Sequence, residues 1–206
     1  MDEKWSKILI QSAAMFMRLG IKSVTMDDVA RELKMSKKTL YQYVDNKDDL
    51  VLKVFGSFIQ MEQATCLSIA ENNENAIDEM IEISKHVNQT LNHLHPSIHF
   101  DMEKYYPETW KIFNKHKTEF VYDCMLNNMK KGIKQGLYRK NLLPDVIAKL
   151  FIEKMDMFFD GKVFPPNKYN FAEVHLEYMR YHIRGISTEK GIEYLMQKLK
   201  QEKFSL

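Results

Sequence analysis

Residues 24–50 read VTMDDVARELKMSKKTLYQYVDNKDDL. Three helix starts are written into this stretch. Thr25 is a good N-cap, with Asp28 at the capping-box position and Val24 and Val29 bracketing it as a hydrophobic staple. Val29, Ala30 and Leu33 then form a short buried stripe. Ser36 repeats the pattern, with Met35 and Leu40 as its staple and Leu40 and Val44 as the buried face. Asn46 caps a further helix, whose first turn holds Asp48 and Asp49 and so suits the helix dipole. Two short helices joined by a tight turn around Met35 and Ser36 make a helix-turn-helix, with its second helix over Lys37–Tyr43.

Upstream, Trp5, Ile8, Leu9, Ser12, Ala13 and Phe16 recur at helical spacing and predict an amphipathic first helix. Gly20 is expected to stop it in a left-handed conformation, as a Schellman motif with Ile21 packed back onto Phe16.

The formal net charge of +2 does not point to nucleic acid, but the distribution of charge does. From Arg31 to Lys47 there are five basic residues and two acidic ones. Lys37 and Lys38 stand in a first helical turn, where cations oppose the dipole. A helix selected for stability alone would carry acids there. Tyr41 and Tyr43 share the short segment with Thr39 and Gln42. That density of polar and aromatic groups is better explained by a polyanionic partner than by a solvated surface.

At these residues the sequence resembles the DNA-binding signature of TetR-family regulators. The match lies on Val29-Ala30, Ser36, Thr39-Leu40-Tyr41, and Asn46-Lys47 ahead of Leu50. Two later phrases, Gly136–Arg139 and Arg184–Ile186, resemble recurrent segments of the same family. The resemblance implies an all-α chain. A three-helix helix-turn-helix domain, residues 1–48, would precede a larger ligand-binding and dimerisation domain, residues 49–206. It further implies a cytoplasmic homodimer on a palindromic double-stranded DNA operator, acting as a repressor released by a small, largely apolar effector. Lys37, Lys38, Tyr41 and Gln42 would face bases, and Thr25, Thr39, Tyr43 and Lys47 would hold phosphates. Two positions depart from the family pattern. Lys34 replaces a common turn glycine and would carry strain if left-handed. Lys38 replaces a frequent small residue, which leaves the operator sequence open.

Beyond Leu50 the pattern predicts helices to about Ala70, over Ala76–Leu94, Glu108–Gln135 and Pro144–Asp160, near Phe171–Arg184, and over Thr188–Gln201. The residues between Pro96 and Pro107 read as a short connecting segment. Ile147, Phe151 and Phe158 on one helix, with Val174, Tyr178 and His182 on another, lie in apolar stripes wide enough to serve a core and a dimer interface together. Met61, Tyr105, Trp110, Phe113, Phe120 and Met155 are candidates for a ligand cavity, although such residues at helical spacing are more often plain core. His93, His95 and His99 lack a recognised metal spacing. Cys66 and Cys124 read as reduced thiols. There is no nucleophile elbow, no phosphate-binding glycine loop and no run of roughly 18 apolar residues. No cofactor, metal, membrane partner or enzymatic activity is expected. Two rivals remain: a DNA-binding protein of the same fold that senses no small molecule, and a helical enzyme with a vestigial DNA motif.

Overall fold

In the computed structural model, which describes residues 2–202, side-chain caps set the start of each of the first four helices. Asp2 caps α1 (Glu3–Leu19) by accepting from the Lys4 N–H. Thr25 and Asp28 form the complete reciprocal capping box of α2 (Met26–Glu32). Ser36 caps α3 (Lys37–Leu40) by accepting from the Thr39 N–H, and Asn46 caps α4 (Lys47–Asn72) by accepting from the Asp49 N–H. There follow α5 (Ala76–Asn92), α6 (Ile98–Tyr105), α7 (Pro107–Lys115), a π-helical segment (His116–Val121), α8 (Tyr122–Lys134), α9 (Pro144–Phe159), α10 (Phe171–Ile186) and α11 (Glu189–Glu202). Among the described residues the only β-type pairing is an isolated bridge, Tyr138 to Ser187. The chain is all-α.

Three local expectations need correction. The helix expected over Glu108–Gln135 is broken by the π segment, in which the backbone bonds run one residue further than in an α-helix. The segment between Pro96 and Pro107 contains α6, whose Ile98 and Met102 are buried, as is Tyr106 just beyond it. Gly20 has φ 80 but ψ 150, so the chain leaves α1 extended and no Schellman motif forms there. Glycine is nonetheless required, because a Cβ would stand 2.6 Å from Ser97 Oγ. The Schellman motifs lie elsewhere. At Gly136 (φ 70), Leu137 N–H reaches Gly132 C=O and Gly136 N–H reaches Ile133 C=O. Lys34 (φ 55) repeats the arrangement, with Met35 N–H on Ala30 C=O and Lys34 N–H on Arg31 C=O.

The chain divides into two compact units. Unit 1 takes the residues up to Gln63 together with His93–His116, and unit 2 takes Ala64–Asn92 and the chain from Lys117 onward. Unit 1 has a core of Ile8, Phe16, Ile21, Leu33, Leu40, Leu50 and their neighbours, joined by Ile98, Met102 and Tyr106. Unit 2 is built on Ile77, Met80, Ile81, Met129, Tyr138, Met179, Ile183 and Leu195. Its buried Glu79 accepts from Lys131 at 2.8 Å. The two weak family phrases meet in this unit. Arg139 N–H donates to Ile186 C=O, Thr188 N–H to Leu137 C=O, and the Arg139 guanidinium to Gly185 C=O.

Candidate nucleic-acid interface

The helix-turn-helix is held from beneath. Ile8, Phe16, Val29, Leu33, Leu40 and Val44 are buried together, which fixes α3 against α1 and α2. The α-helical part of the recognition element is shorter than expected. After Leu40 the chain tightens, with Gln42 N–H on Thr39 C=O and Tyr43 N–H on Leu40 C=O, both three residues back. The element therefore runs as one α-turn and a tighter extension, ending at the buried Val44.

Lys38, Tyr41 and Gln42 are exposed on this element. An ammonium, a phenol and an amide at one surface supply donors and acceptors suited to base edges in a major groove. Lys37 is also exposed, but its Nζ lies 2.9 Å from the Asp27 carboxylate of α2, and that hydrogen bond raises its pKa.

The candidate phosphate residues are more constrained. The Thr25 and Thr39 hydroxyls belong to caps: Thr25 Oγ1 donates to Asp28 at 2.6 Å, and Thr39 Oγ1 lies 2.8 Å from Ser36 Oγ. Tyr43 donates its hydroxyl to Asp2 at 2.8 Å and stacks on Trp5 with ring centroids 5.9 Å apart. Lys47 is half-buried at the first residue of α4, and desolvation lowers its pKa. Its Nζ donates to the Lys22 carbonyl at 3.3 Å, and the Tyr106 ring centroid is 5.9 Å away.

Comparison with known proteins bears on this constellation. Residues 8–54, which span the whole helix-turn-helix, match the sequence profile "Bacterial regulatory proteins, tetR family". Residues 8–54 are thus a DNA-binding region of the TetR type. The chain is 25% identical over 186 residues to an uncharacterised HTH-type transcriptional regulator, YvaF, of Bacillus subtilis, covering 89% of this chain and 96% of that one. A transcriptional regulator from Cytophaga hutchinsonii has the same fold, with a TM-score of 0.72 at 17% identity, covering 91% of this chain and 100% of that one. So have FadR of Bacillus subtilis, solved with stearoyl-CoA (TM-score 0.66, 15% identity, 88% and 99% covered), and a putative regulator from Saccharomonospora viridis, solved with choline (TM-score 0.70, 15% identity, 92% and 100% covered). The chain is a DNA-binding transcriptional regulator.

The remaining candidates of this regulator are dispersed. Four of the six cavity candidates fall in unit 1. Met61 and Tyr105 are exposed there, with the Lys22 ammonium 3.9 Å from the Tyr105 ring centroid. Trp110 and Phe113 stack at 5.5 Å, and His99 meets Trp110 edge-on at 4.8 Å. Phe120 and Met155 are half-buried in unit 2. The histidines have separate surroundings. His93 is exposed, and His95 donates its N–H to Met17 C=O at 2.7 Å and holds Ser97 through Nδ1. Among the described residues no group of three His, Cys, Asp or Glu side chains is arranged to hold a metal ion. Burial raises the pKa of Cys124 to about 11. No described helix is long and apolar enough to cross a membrane.

The six interface candidates lie on α9 and α10 at different depths, and four of them, Phe151, Phe158, Tyr178 and His182, are in ring contact. Phe158 and His182 are buried within unit 2, whereas Ile147, Phe151, Val174 and Tyr178 are half-buried. Phe151 packs on His182 at 4.9 Å and on Tyr178 at 5.4 Å. Desolvation lowers His175 and His182 to about 4, so both are neutral imidazoles at neutral pH. Four exposed apolar side chains lie on these two helices: Val146, Leu150 and Met157 on α9, and Tyr181 on α10.

Sequence reasoning missed α6, and saw Asp101 only as a neighbour of the histidines rather than as the acceptor of the Lys22 N–H. The signal for the helix was present, because Ile98, Met102 and Tyr106 recur at four-residue spacing between the two prolines.

The DNA contacts can be tested residue by residue. Lys47→Ala should weaken binding about uniformly across sequences and lower the salt slope by roughly one unit. Gln42→Ala and Lys37→Ala should instead alter sequence preference. Titrations at fixed salt that find all three variants indistinguishable from wild type would remove this segment from the interface.

Proposed function

We propose that this regulator is a homodimeric repressor that leaves a palindromic operator when a small, largely apolar ligand binds. The observation that carries the reading is α4. It starts at Lys47 beside the recognition element and runs without interruption to Asn72, so its early residues belong to unit 1 and its last to unit 2. A change felt by the later turns reaches Lys47 through one hydrogen-bonded rod. The functional boundary is drawn at residues 48/49, where that rod leaves the helix-turn-helix. Relatives in fold solved with stearoyl-CoA and with choline support a regulated rather than a purely structural role. The reading makes the protein a binding switch and gives it no catalytic step.

In the dimer, two recognition elements would lie about 34–36 Å apart in successive major grooves. A ligand that prefers a conformer with another spacing shifts the population and lowers operator affinity. Coupling of about 1–3 kcal/mol corresponds to a roughly 5–150-fold loss. The test is DNA titration of the full chain with and without acyl thioesters, fatty acids, quaternary amines and neutral apolar compounds. Some class should release the DNA, and bulky changes at Phe120 or Met155 should blunt the response while unliganded DNA binding persists. Unchanged affinity across all these classes would favour the non-sensing reading.

A further inference from the structure

We propose that Asp101 is a positioning residue for DNA binding: it fixes the Lys22 backbone and, through it, the Lys47 ammonium. Asp101 lies in α6, far from the helix-turn-helix in sequence, and belongs to unit 1 with it. The residue is only 4% exposed. Oδ2 accepts from the Lys22 N–H at 3.1 Å and from Ser97 Oγ at 3.0 Å. The other end of the same residue, the Lys22 carbonyl, accepts from Lys47 Nζ at 3.3 Å. Asp101 and Lys47 thus grip the two sides of one short turn. The His95 N–H bond to Met17 C=O and the packing of Ser97 against Gly20 hold the α6 side of that turn in place.

The electrostatics act in the same direction. Burial disfavours charge on Lys47, and the Asp101 carboxylate favours it. A buried acid beside a DNA-binding surface ordinarily weakens the complex by repelling phosphate. Here its removal loosens a cation that the phosphate needs, so the expected sign is reversed. The proposal rests on Lys47 as a phosphate holder.

The test uses the full chain and one fixed mixed-sequence DNA duplex, titrated across a salt series. Lys47→Ala should lower the salt slope by about 0.9. Asp101→Asn should weaken binding roughly three- to tenfold at low salt and also lower the slope, although it deletes a negative charge. The double variant should match Lys47→Ala alone, because both changes remove one interaction. Glu103→Gln, an exposed acid on the same helix, should bind as tightly as wild type or more tightly. Ser97→Ala frees one side of the Asp101 carboxylate and should weaken binding by about twofold, which keeps the test open if Asp101→Asn does not fold. Tighter binding by Asp101→Asn overturns the proposal, as does a double variant weaker than Lys47→Ala by the full Asp101→Asn factor. An unchanged slope in Lys47→Ala removes the phosphate role and the proposal together. A reduced slope there with wild-type behaviour in both Asp101→Asn and Ser97→Ala removes the proposal alone.

Discussion

Gly132→Ala should lower the melting temperature by roughly 5–10 °C, through a loss of about 3 kcal/mol. Gly132 sits inside α8, where alanine would ordinarily be favoured by up to about 1 kcal/mol. The ring of Tyr138 occupies the space instead. An added Cβ would stand 2.1 Å from Tyr138 Cδ2 and 2.3 Å from Cε2. Tyr138 cannot retreat, because it is fully buried and its hydroxyl is anchored at 3.2 Å on Ala76 C=O and 3.0 Å on Asn128 Oδ1. The same tyrosine pairs with Ser187, so its displacement also disturbs the strap between the end of α8 and the end of α10. Gly185→Ala provides the control. It lies in α10 with nothing within 4 Å of its added methyl, and should be neutral or slightly stabilising. Thermal melts of the two variants that coincide would show that the Tyr138 contact is not as drawn.

Leu150→Glu combined with Tyr181→Glu should convert a dimer to a monomer and weaken operator binding by about 100-fold or more. Leu150 is 51% exposed and Tyr181 70% exposed, on helices whose opposite faces fill the core of unit 2. Together with Val146 and Met157 they leave an apolar band that a single protomer does not cover. A two-fold interface made from α9 and α10 would cover it, each copy presenting the same patch. Burying each large apolar side chain is worth about 1.5–3 kcal/mol, and an unpaired carboxylate placed there adds a desolvation cost. Losing the second recognition element removes the effective-concentration gain, which is typically 10²–10⁴-fold. Because these side chains make the outer surface rather than the core, the variant should keep its helical signal and its melting transition. Sedimentation showing a monomeric wild type at micromolar concentration would remove the basis for this expectation.

The contrast between these sites explains what is legible in a sequence. Capping is local. Thr25 with Asp28, Ser36 with Thr39, and Asn46 with Asp49 each act over three residues, so the helix-turn-helix can be read directly from residues 24–50. Periodicity reveals that α9 and α10 are amphipathic, but their stripes are broad. It does not separate Phe158 and His182, which are buried within one protomer, from Leu150 and Tyr181, which are not. The α6 segment hides behind two prolines because its tethers are distant ones, from Asp101 to Lys22 and from His95 to Met17. The need for glycine at position 20 likewise comes in part from Ser97 and His95, which stand where a Cβ would go and are far away in sequence.

The left-handed Lys34 has a meaning for how this lineage can change. A side chain in that conformation costs about 1–2 kcal/mol relative to glycine. The turn holds all the same, because Leu33 is buried beside it and the hydrogen bonds from Lys34 and Met35 close it from both sides. Position 34 is therefore a place where mutation is tolerated by the frame rather than by the residue. Drift there can add or remove one positive charge at the edge of the DNA-binding surface without redesigning the turn. Affinity for a polyanion can be adjusted in single-charge steps, each drawing on a stability reserve that the rest of unit 1 supplies.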